Sequence, residues 1–107
     1  MKDWKDRIVE QYGQEYVLRQ LAEESAELCQ AALKAVRVLH GETPVAMTEA
    51  QDRMLEEIAD VEIMIDVLKD AVLNDRGVAR IREIGARKKE RMIGRMIEGD
   101  GEPPEGR

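Results

Sequence analysis

Apolar positions recur at helical spacing in four stretches of the chain, separated by glycine, proline and polar clusters. Trp4, Ile8 and Tyr12 share one face of a short segment from Lys2 to Tyr12, and Gly13 breaks it. A long helix is predicted from Gln14 to about His40, with Val17, Leu18, Leu21, Ser25, Leu28, Ala32, Val36 and Leu39 as its buried stripe. Gly41 followed by Pro44 marks the end of that helix. Thr48-Glu49-Ala50-Gln51 has the pattern of a capping box, so the next helix is expected to start there and run to about Leu73. Met54, Ile58, Val61, Ile65, Leu68 and Val72 form its core face. Asn74-Asp75-Arg76-Gly77 reads as a turn. A last helix, about Val78 to Ile97, has an imperfect stripe that Gly85 and Gly94 weaken. The expectation is an all-α four-helix bundle built on two long antiparallel helices. Residues 1–98 form a single domain and 99–107 a disordered tail, since that tail has almost nothing to bury.

Composition agrees with this and narrows it. In 107 residues, 37% are charged and 43% hydrophobic, a balance suited to helices with one wet and one buried face. There is one Trp, there are two Tyr and there is no Phe, so the core is modest and self-association is expected to complete it, as a homodimer or homotetramer. Val36, Leu39, Val72 and Leu73 are the apolar positions expected to meet another subunit. A net charge of -6 argues against nucleic acid as a partner. The single cysteine, Cys29, builds no disulfide and reads as a small buried hydrophobe. No run is long and apolar enough for a membrane span, and Met1–Asp6 is no signal peptide, so a cytoplasmic protein without membrane contact is expected.

Two acidic pairs change the picture. Glu24 with Glu27, and Glu57 with Asp60, each lie three residues apart, hence on one helix face. Each pair interrupts an apolar run. Glu57 falls within the apolar arc, Glu24 and Asp60 at its edges, and Glu27 further out. A buried carboxylate is costly when ionised and unpaired. Two antiparallel helices would bring all four together, and a hard divalent cation is the simplest way to hold them there. Oxygen ligands alone suit Mg²⁺, with Mn²⁺ as the alternative. With no His or Cys in either pair, zinc does not fit. His40 sits at a helix end, where the dipole favours it.

Glu23-Glu24-Ser25-Ala26-Glu27, followed by Glu57-Ile58-Ala59-Asp60, resembles the EExxE…ExxD signature of the MazG-like all-α nucleoside triphosphate pyrophosphohydrolases. The flanking Tyr12-Gly13, Leu21-Ala22 and Val61-Glu62-Ile63-Met64 resemble compact single-domain members, and the likeness covers about residues 8–95. The gap between the halves is slightly longer than the family commonly has. The resemblance implies Mg²⁺-dependent cleavage of a (deoxy)nucleoside triphosphate between the α and β phosphates. It implies Glu24, Glu27, Glu57 and Asp60 as metal ligands. Glu23 or Glu27 is the carboxylate free to take a proton from water. Lys34, and Lys88, Arg91 and Arg95 on one face of the last helix, are the candidates for phosphate contacts. Trp4, Tyr12, Gln14 and Tyr16 are candidates to meet the base. Two other readings stand beside this one, a non-catalytic helical adaptor and a related hydrolase of another phosphorylated compound.

Overall fold

The computed structural model describes residues 3–99, and among these the only regular elements are helices, with no strand. The chain divides into two units, Met1–Val72 and Leu73–Arg107. The first holds α1 (Trp4–Tyr12), α2 (Gln14–Leu39) and α3 (Met47–Val67), the last continuing into a π-helical segment, Leu68–Val72. The second holds α4 (Asp75–Ile97). Among the described residues no helix is long and apolar enough to cross a membrane.

Each helix end has a local cause. The Asp3 carboxylate accepts from the backbone N–H groups of Lys5 (2.9 Å) and Asp6 (3.2 Å) and caps α1. Gly13 ends α1 and begins α2 in the same residue, at φ 89° and ψ 168°. Only glycine adopts that region without strain. Gly13→Ala should therefore cost about 1–3 kcal/mol, read as a lower urea midpoint, although a Cβ there meets open space. α2 closes in a Schellman arrangement at Gly41, φ 71°. Gly41 N–H donates to Val38 C=O (3.0 Å) and Glu42 N–H to Arg37 C=O (2.9 Å).

The two later helix starts differ from the sequence expectation. α3 begins at Met47 after Ala46, with no side-chain cap, so Thr48 already lies inside the helix. Asn74 is an N-cap rather than part of a free turn. Its side chain accepts from Gly77 N–H at 2.8 Å, and α4 starts at Asp75. α4 runs unbroken through Gly85 and Gly94, and none of its residues is buried within this chain. Gly99 follows it at φ 79°. Lys2 and residues 100–107, including most of the expected tail, lie outside the described residues.

Within the first unit, α2 and α3 form an antiparallel hairpin. Val17 packs with Met64 and Val67, Glu24 meets Glu57 and Asp60, and Ala31 shares a cavity wall with Ala50. Partner numbers fall along α3 as they rise along α2. The inward positions of α2 are Val17, Leu21, Glu24, Leu28, Ala31, Ala35 and Val38; those facing them are Ala50, Met54, Glu57, Val61 and Met64 of α3 and Leu68 of the π-helical segment, with Val67 buried beside the last two. Steps of four and three alternate, the 3.5-residue period of two helices that keep one line of contact.

This seam corrects the predicted stripe. Leu18, Ser25, Ala32, Val36 and Leu39 are exposed, because stepping by four drifts off the contact line. Ile58 is exposed for the same reason. Cys29, expected inside, is an exposed free thiol one position past the seam. Val17 and Val67, both 0% exposed, form the deepest part of the core with Met64. Ile8, Val9, Leu21, Leu68 and Val72 pack around them, and this is where α1 docks. An ion pair between Lys5 and Asp70 ties α1 to the π-helical segment.

Candidate metal centre

Glu24 and Glu57 occupy the middle of the seam, where the pattern on either side supplies apolar residues. The antiparallel register sets them against one another, with Asp60 one turn from Glu57. Ligand oxygens of Glu24, Glu57 and Asp60 all lie within 4.8 Å of each other. Glu57 is only 4% exposed, Glu24 half-buried and Asp60 exposed. The helical azimuths predict Glu57 as the most buried and Glu24 at the edge; Asp60, expected at the edge as well, is exposed like Glu27.

Arg53, one turn before Glu57, is the one cation in contact with the cluster among the described residues. Its Nε lies 3.0 Å from Glu57 Oε1. The other oxygen, Glu57 Oε2, is buried with no hydrogen-bond partner, and so is Glu24 Oε2. Unpartnered buried carboxylate oxygens are rare because their desolvation is uncompensated. Two of them, on residues of one three-carboxylate cluster, fit a hard cation held by carboxylates.

The electrostatics agree. Burial raises the pKa of Glu57 above the ordinary carboxyl value, with the neighbouring Glu27 carboxyl acting the same way and Arg53 opposing. Burial also raises Glu24, followed by the charges of Asp60, Glu27 and Glu57. A carboxyl with a raised pKa binds its proton more tightly folded than unfolded. Its stabilising contribution is therefore full at low pH and is lost as pH rises from the ordinary 4.5 through the raised value. Without divalent cation, these two groups should raise the unfolding midpoint as pH is lowered from neutral toward the ordinary 4.5. A bound cation needs the ionised forms, so the midpoint increment from Mg²⁺ should shrink over the same interval. Thermal melts with and without Mg²⁺ check both slopes.

Glu27 is exposed and stands next to this group. It also lines a cavity of about 520 Å³ at the loop end of the hairpin, together with Lys34, Arg37, Glu49, Ala50 and Arg53. Lys34, expected on a similar azimuth to Glu27, lines the same cavity. Glu23 is exposed outside the cluster, and its Oε2 accepts from Gln20 Nε2 at 3.3 Å. Lys88, Arg91 and Arg95 belong to the second unit and are all exposed there; Arg91 borders a shallow cavity with Ile84, Arg87 and Glu90. Tyr12 and Tyr16 flank Gly13 with ring centroids 4.7 Å apart. Trp4 is exposed, with Lys5 Nζ 5.7 Å from its ring centroid. Arg53 and Arg37 were not among the sequence candidates. Arg53 was within reach of an i,i+4 charge search from Glu57.

Comparison of the chain with protein-family models, with curated proteins and with solved structures returned no match.

Proposed function

We propose that the protein is a Mg²⁺-dependent hydrolase of (deoxy)nucleoside triphosphates that cuts between the α and β phosphates. The observation that carries this reading is the pair of buried, unpartnered carboxylate oxygens on Glu24 and Glu57, two members of a three-carboxylate cluster beside a cavity with cationic side chains. Glu24, Glu57 and Asp60 hold the cation, with Glu27 at the rim. A divalent cation there supplies positive charge to phosphoryl oxygens and acidifies a water.

The protein's own groups do the rest. Lys34 and Arg37 offer charge to the phosphate chain along the cavity wall. Glu27, exposed between cluster and cavity, takes the proton of the attacking water; Glu23, turned toward Gln20, is less well placed for it. Water adds its oxygen to the α-phosphorus, the bond to the bridging oxygen breaks, and monophosphate and pyrophosphate leave. Lys88, Arg91 and Arg95 on α4 are further candidate phosphate contacts.

The hairpin completes its core in a homodimer or homotetramer, giving the helical bundle of the MazG-like type. Leu18, Leu33, Val36 and Leu39 of α2 and Leu55, Ile58 and Ile63 of α3 are exposed together and support this. Val72 and Leu73 are half-buried within the chain and contribute less. Sedimentation of a monomer at tens of micromolar would refute the assembly. The setting is cytoplasmic.

The test is a panel of nucleoside triphosphates and phosphoribosyl compounds with Mg²⁺ and a pyrophosphate readout. Release from a nucleotide is expected. Turnover of another phosphorylated compound alone would move the substrate class. No turnover, with no thermal stabilisation by Mg²⁺ or Mn²⁺, would leave a non-catalytic helical adaptor.

A further inference from the structure

We propose that Arg53 is an exchangeable counter-ion, which pairs with Glu57 until a divalent cation takes that carboxylate and then turns to an anion in the adjoining cavity. The proposal rests on the metal-site reading above. Arg53 is placed for both roles. Its Nε lies 3.0 Å from Glu57 Oε1, and its side chain, 58% exposed, also lines the 520 Å³ cavity. Glu57 is the buried partner, with a side chain only 6% exposed. A guanidinium on a flexible, exposed stem can leave such a pair; the buried carboxylate cannot follow it.

The charges around the cavity explain why the exchange matters. Lys34, Arg37 and Arg53 face Glu27 and Glu49. With Arg53 engaged by Glu57, two cations and two carboxylates remain, and the wall has no net attraction for a polyanion. A cation on Glu57 removes the partner that held Arg53 and offsets Glu27. The same wall then carries an excess of positive charge, and a planar guanidinium suits the bidentate oxygens of a phosphate. Cation and polyphosphate would therefore bind with positive coupling, each making the place of the other more favourable. Arg53 also occupies the electrostatic role of the cation in its absence. It stabilises the buried charge and competes with metal.

These two effects have opposite signs in a single variant, which separates the proposal from a structural role. Arg53→Gln should bind Mn²⁺ alone more tightly than wild type, by about 5-fold, because the internal competitor is gone. In saturating Mn²⁺ the same variant should bind inorganic pyrophosphate about 10-fold more weakly. Arg53→Lys keeps the charge and should stay within about 2-fold of wild type in Mn²⁺ binding, while recovering part of the pyrophosphate affinity. Mn²⁺ binding is read by electron paramagnetic resonance and pyrophosphate binding by calorimetry, with helicity checked by circular dichroism. Arg53→Gln binding Mn²⁺ as wild type does, or more weakly, would overturn the exchange. Loss of both affinities together would show support of the fold instead, and would also overturn it. Wild type binding no Mn²⁺ would overturn the metal centre itself, a result distinct from either.

Discussion

Glu57→Gln should abolish pyrophosphate release, by at least about 10³-fold, while leaving the helices in place. The side chain keeps its shape and loses only its charge. That charge is the one set most deeply in the seam, and its Oε2 has no protein partner. The variant should also lose the thermal increment that Mg²⁺ gives the wild type. Without metal its unfolding midpoint should rise, since the amide removes repulsion with Glu24, Glu27 and Asp60 and the burden of a buried charge. Loss of activity with a gain in stability is the pattern of a residue held for function against the interest of the fold. A variant with wild-type turnover would remove Glu57 from the site. A variant less stable than wild type at neutral pH would mean that the Arg53 pair outweighs the burial, contrary to the electrostatic account.

The largest loss of stability should follow Val67→Asp. Val67 is 0% exposed and packs with Val17 and Met64, where α1, α2 and the π-helical segment meet. An aspartate there has no cation facing it in that cluster, so it must either be buried ionised or be protonated against its ordinary pKa. Either exceeds about 3 kcal/mol, and a unit with so few fully buried side chains has little in reserve. Helical circular dichroism should fall sharply at 25 °C, and α1 should become accessible to protease. Val67→Ala removes only two methyl groups and should cost about 1–3 kcal/mol, with cooperative unfolding retained. Equal midpoints for the aspartate variant and wild type would show that α1 does not depend on this core.

Much of this arrangement was legible in the chain. Gly13 and Gly41 marked two helix ends correctly, because a positive φ leaves few other residues to choose from. The burial of Glu57 and the half-burial of Glu24 followed from angles around a helix, while Asp60, expected at the same edge as Glu24, is exposed. The error lay in the stripe of α2. Both 31 and 32, and both 35 and 36, carry residues that can be buried, so apolarity does not choose between them. The choice is made by the partner helix, whose line of contact repeats every 3.5 residues. Cys29 was misplaced for that reason. Arg53 was missed because an arginine four residues before a glutamate is common on helices; its meaning comes from the burial of Glu57 and the cavity beside it, both products of packing. The start of α3 at Met47, after Ala46, lacks a side-chain cap and left no signal to read.

The acidic positions in the seam also bear on how the hairpin finds its alignment. Antiparallel helices with a repeating seam can slide by seven residues and still match apolar to apolar. Here such a slip would set Glu24 against Ala50 or Met64, and Glu57 against Val17 or Ala31. Each carboxylate would then be stranded among hydrocarbon, beyond the reach of any shared ion. Only one alignment lets the two be neutralised together, and so the residues that weaken the folded hairpin are also the ones that make its wrong pairings worse.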